Sequence, residues 1–219
     1  MRGMMENASL PPVRHAALSA RGIHKAYGKR LVLRGVDLDV PPGKIVGVVG
    51  ENGAGKTTLL RIMRGELKPD RGTIAVSERL GYCPQHPVLN RALTVRQHLR
   101  YFQLALGVKR LDRAHELLDR LNFADYQDVP VHALSGGIKQ KLNLVLALMH
   151  DPEVLLLDEP YQGFDWDTYL RFWEIAADLR AAGHAVVVIS HLAYDVERLD
   201  CLHKLCGGLL TEYPTETHA

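Results

Sequence analysis

Apolar residues recur along this chain with two different periods, which predicts strands that alternate with helices. Residues 18–27 and 31–40 are predicted strands, and a Pro-Pro-Gly turn at residues 41–43 closes the second. Residues 44–50 are almost wholly apolar, which is typical of a short strand buried on both faces of a parallel sheet. A glycine-rich turn and a helical pattern over residues 56–64 follow this strand.

The middle of the chain carries the helical period without an intervening strand. Residues 94–97 (Thr-Val-Arg-Gln) form a capping box that opens a helix ending near Gly107. A second amphipathic helix is marked at 3.6-residue spacing by Leu111, Ala114, Leu117, Leu118 and Leu121. A third helix begins after Ser135, with an apolar stripe formed by Ile138, Leu142, Val145 and Met149. We therefore expect a helical subdomain at about residues 88–140.

The strand pattern returns in the last third of the chain. Residues 154–157 and 185–190 are short apolar runs, and a helix over residues 167–182 separates them and ends at Gly183. Strands that alternate with helices are typical of an α/β fold with a parallel sheet.

Length and composition indicate one globular domain. The chain has 219 residues, 47% of them hydrophobic and 24% charged, which is enough for one substantial core. We expect this domain to cover residues 18–210, with a polar lead-in at residues 1–17 and a tail at residues 211–219. No apolar run approaches the roughly 20 residues of a membrane span, and the N-terminus lacks the hydrophobic stretch of a secretory signal.

Charge and cysteine content argue against several classes of function. The 27 Lys and Arg residues nearly balance the 25 Asp and Glu residues and are spread along the chain, so we expect neither nucleic acid nor an anionic lipid surface as a partner. Cys83, Cys201 and Cys206 show no metal-ligand spacing, and we expect free thiols in a reducing, cytoplasmic compartment.

Residues 50–57 match the phosphate-loop pattern G-x-x-x-x-G-K-S/T in full. Glycines let the backbone point successive N–H groups at phosphate oxygens, and the following helix adds its positive N-terminal end. Lys56 would place its charge on the β- and γ-phosphates, and the Thr57 hydroxyl would bind Mg²⁺. The predicted nucleotide-binding residues of this segment are Gly50, Asn52, Gly53, Ala54, Gly55, Lys56, Thr57 and Thr58.

A second candidate site lies at the end of the apolar run 154–157, where Asp158 and Glu159 follow. Asp158 at the carboxyl end of a strand can hold the Mg²⁺ of a bound nucleotide, directly or through water. Glu159 is the better general base, because a water must be polarised for in-line attack on the γ-phosphate. An apolar run that ends in two acids is also common where a strand meets a solvated loop, so this prediction depends on the phosphate loop upstream.

Residues 134–137 (Leu-Ser-Gly-Gly) lie shortly before that acidic pair, and there they resemble the signature motif of ABC transporter ATPases. The resemblance extends from about residue 18 to residue 210, with the family's motifs in the family's order. It implies the ABC ATPase fold, which is an α/β P-loop NTPase with a parallel-sheet core, an N-terminal antiparallel β-subdomain and an inserted helical subdomain.

The resemblance also implies roles for single residues that would be weak signals alone. Tyr27 matches the aromatic residue that stacks on adenine, and Gln85 matches the Q-loop glutamine that contacts Mg²⁺ or the attacking water. His191 matches the H-loop histidine that contacts the γ-phosphate. Asp165 matches the D-loop aspartate, and it can also cap the helix that follows.

The signature residues Ser135, Gly136 and Gly137 sit at a predicted helix N-terminus, which is a ready anion site. In the family this site serves the ATP of the opposite subunit, so that two cassettes enclose two ATP molecules head to tail. The resemblance therefore implies Mg-ATP as cofactor and a second ABC ATPase subunit, identical or different, as partner. It further implies membrane-spanning permease subunits, docked on a groove lined by residues 85–93 and the helical subdomain, on the cytoplasmic face of the membrane.

The chain departs from the family pattern after the signature, where Ile138 stands in place of the commonest residue, glutamine. A hydrophobe followed by basic residues resembles the branch that serves ABC-2-type exporters, as do residues 190–210, so we expect an ATPase that drives export. The alternatives are an importer ATPase, a cassette acting in translation or DNA maintenance, and a non-hydrolysing regulatory cassette. Glu159 and His191 argue against the last of these.

Overall fold

The computed structural model describes residues 16–191 and 196–213, and within them the chain folds into two sheets and five α-helices. The smaller sheet is antiparallel, in the order β2-β1-β4. Its strands are β1 (Leu18–Tyr27), β2 (Arg30–Val40) and β4 (Arg71–Val76). The first two strands were predicted from the sequence, whereas β4 was not.

The larger sheet has six strands in the order β5-β6-β7-β3-β8-β9. Its strands are β3 (Ile45–Val49), β5 (Leu80–Cys83), β6 (Val154–Asp158), β7 (Ala185–Ser190), β8 (Cys201–Cys206) and β9 (Leu209–Tyr213). Strands β5, β6, β7, β3 and β8 pair in parallel, and β9 pairs antiparallel with β8. The apolar runs predicted β3, β6 and β7, whereas β5 and β8 were not predicted. Residues 211–213, expected in the tail, belong to β9.

The helices follow the predicted order with boundaries shifted by a few residues. They are α1 (Lys56–Met63), α2 (Val95–Ala105), α3 (Asp112–Arg120), α4 (Gly136–Leu148) and α5 (Trp166–Ala181). The predicted capping box of α2 is present, with Thr94 and Gln97 each accepting a backbone N–H of the other. Among the helices of residues 16–191 and 196–213, none is long and apolar enough to cross a membrane.

The large sheet separates two hydrophobic cores, because successive strand residues point to opposite faces. Val154 and Leu156 pack with α1 and the antiparallel sheet, whereas Leu155 and Leu157 pack with α2 to α5. Helix α4 lies deep in the second core and is buried on every side from Gln140 to its end. The predicted stripe on α4 is therefore too narrow, because the apolar sheet face and the helices α2, α3 and α5 surround the helix.

The sheet order brings the candidate residues to one edge of the molecule. Strands β5, β6, β7 and β3 are parallel neighbours, so their carboxyl ends lie side by side. Residues 50–57 follow β3, Gln85 follows β5, Glu159 follows β6 and His191 follows β7. Segments far apart in sequence thereby meet in one site.

Candidate active site

The loop between β3 and α1 has the geometry of an anion-binding loop. Gly55 has a φ of 110°, a conformation that residues with a Cβ rarely adopt, and from it the chain enters α1. The Lys56 side chain folds back over the loop, and its Nζ donates to the carbonyl oxygens of Gly50 (2.5 Å) and Glu51 (3.2 Å). Lys56 is only 8% exposed, so its ammonium is held where phosphate oxygens could replace the loop carbonyls.

Asp158 is the last residue of β6 and Glu159 follows it, and both are nearly buried. Burial raises the pKa of the Asp158 carboxyl, and the adjacent Glu159 raises it further. Lys56 acts in the opposite direction on the same pKa. The site thus contains a buried carboxylate whose negative charge is incompletely compensated by the protein itself.

The backbone of Glu159 adopts an uncommon conformation, with a φ of 46°. A non-glycine residue in this region costs on the order of 1–3 kcal/mol and persists where its surroundings hold it. The Glu159 N–H donates to the carbonyl of Ile189 in β7 (2.9 Å), and its own carbonyl accepts from the N–H of Gln162 (3.2 Å). These bonds turn the Glu159 side chain toward the loops after β5 and β7.

The Glu159 carboxylate lies between an amide and an imidazole. Gln85 Nε2 donates to Glu159 Oε2 at 3.2 Å and lies 3.4 Å from Gln162 Oε1. His191 Nδ1 lies 3.0 Å from Glu159 Oε1, while about half of the imidazole stays exposed. The carboxylate is therefore oriented on both oxygens, as a group that must accept a proton in a fixed direction would be.

Most of the predicted site residues line one cleft of about 430 Å³. Its lining consists of Tyr27, Arg30, Val32, Asn52, Gly53, Gly55, Lys56, Thr57, Thr58, Gln85, Asp158 and Glu159. Gly50 and Ala54 belong to the phosphate loop but do not line the cleft. His191 does not line it either, but its Nδ1 contacts Glu159, which does. Tyr27 is 47% exposed, so part of its ring is accessible to a flat ligand.

The cleft has the donor chemistry that Mg²⁺ prefers. The Thr57 hydroxyl, the Gln85 amide and the Asp158 carboxylate all line it, and oxygen donors of this kind suit a small hard cation. The raised pKa of Asp158 fits such a cation, because a buried carboxylate is stabilised by a positive charge beside it. No group of three His, Cys, Asp or Glu side chains that could hold a metal is found in the described part of the chain.

The predicted signature residues do not line this cleft. Ser135 is the N-cap of α4, its Oγ accepting from the Ile138 N–H at 3.3 Å, and Ser135 and Gly136 are exposed. A Cβ on Gly137 would lie 2.6 Å from the carbonyl oxygen of Gly163, so only glycine allows the first turn of α4 to touch the loop at Gly163. The signature thus presents a helix N-terminus outward, next to the loop that follows Glu159.

Asp165 also lies outside the cleft, and it caps α5. Its Oδ1 accepts from the Thr168 N–H at 2.7 Å, and this hydrogen bond lowers the pKa of the carboxyl. The capping role considered from the sequence is therefore present in the structure.

Several residues of the site were missed from the sequence. Arg30 and Val32 line the cleft, and Gln162 contacts Gln85, although nothing in their local pattern indicates it. Gln140 and Asn143 of α4 are nearly buried polar residues, and they could have been noticed as two amides three positions apart in an apolar helix.

Comparisons with known proteins give related sequences and folds. A protein-family model described as ABC transporter matches residues 33–162. Nod factor export ATP-binding protein I of Paraburkholderia xenovorans (strain LB400) is 35% identical over 206 residues, which cover 87% of this chain and 67% of that protein. This chain thus spans about two thirds of the length of such Nod factor export relatives. The lipopolysaccharide export system ATP-binding protein LptB of Acidithiobacillus ferridurans is 35% identical over 89% of this chain and 88% of its own.

Solved structures show the same architecture. A structure described as the ATP binding subunit of an ABC transporter superposes with a TM-score of 0.85 at 26% identity over 90% of both chains. The ATP-binding cassette MJ1267 in its ADP conformation superposes with a TM-score of 0.76 over 89% of both chains, and at 23% identity this similarity shows the fold alone.

Proposed function

This chain belongs to the ABC transporter family of ATP-binding proteins, and from that premise we propose that it hydrolyses Mg-ATP to drive export through separate membrane-spanning subunits. The observation that carries the proposal is the single cleft shared by the phosphate loop, Gln85, Asp158 and Glu159. Both relatives are named as ATP-binding proteins of export systems, which supports export over import.

The proposed chemistry follows from the contacts in the cleft. Lys56 leaves the carbonyls of the phosphate loop and neutralises the β- and γ-phosphates, while Tyr27 stacks on the adenine. Mg²⁺, held by Thr57, Gln85 and Asp158, would supply charge neutralisation at the phosphates.

Glu159 accepts the proton of the attacking water in this proposal. Its carboxylate is held on one oxygen by Gln85 and on the other by His191, which fixes the direction of proton transfer. His191 is half exposed and therefore accessible to the γ-phosphate as well.

A second copy completes the site. Ser135, Gly136 and Gly137 form an outward-facing helix N-terminus that does not line the chain's own cleft. Such a terminus attracts anions, and we assign it to the γ-phosphate of the ATP on a partner ATPase subunit, in a head-to-tail pair. Asp165 faces the same pairing surface in this proposal while it caps α5.

A membrane-spanning subunit is proposed to dock in a second, mostly apolar cleft of about 420 Å³. Its lining includes Pro84, Val88, Leu89, Phe102 and Leu106, from the segment after β5 and from α2 and its end. Val88 is 88% exposed, and with the other apolar residues of this cleft it forms a contiguous apolar surface of the kind that partners cover. Because Pro84 precedes Gln85, a helix of the partner inserted here would lie close to the reacting residues.

Two measurements test the proposal. The purified chain should hydrolyse ATP only with Mg²⁺, and Lys56→Ala should lose that activity. In membranes that contain the cognate permease, Val88→Asp should release the chain from the membrane fraction, whereas the control Leu104→Asp, on an exposed α2 position outside the cleft, should stay bound. Equal membrane binding of the two variants would refute the docking site, and Mg²⁺-independent or absent hydrolysis would refute the enzymatic role.

A further inference from the structure

Helix α4, which begins at the signature residues, carries two buried amides, Gln140 and Asn143. Gln140 is 2% exposed and Asn143 is 6% exposed. Buried amides are retained where their N–H groups have specific partners, so their hydrogen bonds identify what they hold.

Both amides bind backbone segments next to the proposed reacting residues. Asn143 Nδ2 donates to the carbonyl oxygen of Pro84 at 2.7 Å, and Pro84 precedes Gln85. Gln140 Nε2 donates to the carbonyl oxygen of Pro160 at 3.2 Å, and Pro160 follows Glu159.

The two amides form one connected unit. Asn143 Nδ2 lies 3.4 Å from Gln140 Oε1, and both amides approach the Sγ of Cys83, at 3.3 Å from Asn143 and 3.8 Å from Gln140. Cys83 is fully buried at the end of β5. One side of α4 is thus attached to the end of β5 and to the peptide after Glu159.

These attachments matter because the reacting residues depend on backbone position. Gln85 and Glu159 bond to each other at 3.2 Å, and the left-handed backbone of Glu159 must be held by its surroundings. A shift of Pro84 or Pro160 would move one partner of that bond relative to the other.

The N-terminus of the same helix, where Gly136 lies four residues before Gln140, is the outward-facing signature. Ser135 and Gly136 are exposed there, and Gly137 touches Gly163, which follows Glu159 by four residues. Because a helix moves as a stiff unit, a ligand that reorients its N-terminus also displaces Gln140 and Asn143.

We infer that Gln140 and Asn143 are positioning residues through which α4 holds Gln85 and Glu159 in register. The helix whose N-terminus meets the partner's nucleotide thereby sets the geometry of the reacting residues in its own chain. This inference rests on the proposed head-to-tail function, and it adds a physical route by which occupancy of one site regulates hydrolysis at the other.

Two substitutions at position 143 test the inference in the full chain. Asn143→Ala removes the donor and the side-chain volume, whereas Asn143→Leu removes the donor and keeps the volume. Both should lower kcat for ATP about tenfold and change KM less than about twofold. The residues that bind ATP keep their places, whereas Gln85 and Glu159 are no longer held at the distance that the reaction needs. The Hill coefficient for ATP should fall toward one, since α4 no longer couples the two sites.

Lys141 on the same helix offers a matched control. Its Nζ donates to the carbonyl oxygen of Leu121 at the end of α3 (2.8 Å), a contact outside the reacting site. Lys141→Met should lower the melting temperature but leave kcat and the Hill coefficient at wild-type values. If the position 143 variants do not fold, Gln140→Met, which removes the other donor at similar volume, must show the same loss of kcat.

The outcomes separate this inference from the proposed function. A wild-type chain without ATPase activity would refute the proposed function. An active wild type with unchanged kcat in the position 143 variants, or recovery of kcat in Asn143→Leu, would overturn the positioning role, because packing alone would then account for the site.

Discussion

Glu159 Oε1 lies 3.0 Å from Nδ1 of His191, at the carboxyl ends of the neighbouring strands β6 and β7. The other oxygen of the same carboxylate accepts from Gln85, which is 74 residues away in sequence. The parallel sheet brings these three side chains to one place, because each follows a strand that ends at the same edge. The candidate general base therefore meets its two partners through sheet topology, because Gln85 and His191 follow other strands of the same sheet.

Tyr27 should contribute to nucleotide affinity through its ring. Tyr27→Ala should weaken ATP binding about tenfold, because stacking of a base on an aromatic ring contributes roughly 1–3 kcal/mol. Tyr27→Phe should keep wild-type affinity, and inorganic triphosphate should bind all three proteins equally. Isothermal titration calorimetry decides the matter, and an equal loss of triphosphate affinity in Tyr27→Ala would show that the ring does not act on the base.

The Asp158 carboxylate should lower the stability of the ligand-free protein relative to a variant with an uncharged residue at this position. Its pKa is raised by burial and then by Glu159, so the folded chain holds this proton at a pH where the unfolded chain has released it. The ligand-free protein should therefore lose stability as pH rises through the window just above the ordinary carboxyl pKa.

Asp158→Asn should remove that dependence and stabilise the ligand-free protein at neutral pH by roughly 1 kcal/mol, while Mg²⁺-dependent hydrolysis falls. Asp70 provides a control whose pKa is shifted in the opposite direction, because hydrogen bonds from Lys25 and the Ala26 N–H lower it. Asp70→Asn should therefore not stabilise the protein. Thermal denaturation across pH measures both, and a lower melting temperature for Asp158→Asn at neutral pH would contradict this account.

Ser135 should act on the nucleotide of the other chain. Ser135→Arg should still bind ATP, because Ser135 does not line its own cleft, but it should not hydrolyse it. Mixing Ser135→Arg with Glu159→Gln before ATP is added should restore activity, because each mixed pair contains one site with an intact base and an intact facing signature.

In an equal mixture we expect up to about a quarter of wild-type activity, since about half of the pairs are mixed and each has one working site. An ATPase assay of the two single variants and their mixture measures this. If two inactive variants stay inactive together, the head-to-tail assignment is wrong.

The sequence predicted those functional segments whose residues lie close together in the chain. Residues 50–57 and Asp158 were assigned from motifs, because a phosphate loop needs its glycines and lysine within eight consecutive positions. The α/β class and most helices followed from apolar periodicity in the same way.

The parts that were missed depend on contacts between distant segments. Strands β4, β5, β8 and β9 are short or partly exposed, and their positions are set by pairing partners elsewhere in the chain. The amide pair of α4 could be noticed as polar residues in an apolar helix, but its link to Pro84 and Pro160 required the folded arrangement. Residues 192–195, within the segment 190–210 that contributed to the expected export branch, lie outside the described residues.

The central claim is that ATP joins two ATPase chains across this cleft, and the most direct measurement is the molar mass of Glu159→Gln with and without Mg-ATP. Light scattering coupled to size-exclusion chromatography should give a monomer without nucleotide and a stable dimer with it, because the variant binds ATP and cannot cleave the γ-phosphate. Lys56→Ala should stay monomeric in both conditions. A Glu159→Gln chain that binds ATP by calorimetry but remains a monomer at saturating nucleotide would contradict the account.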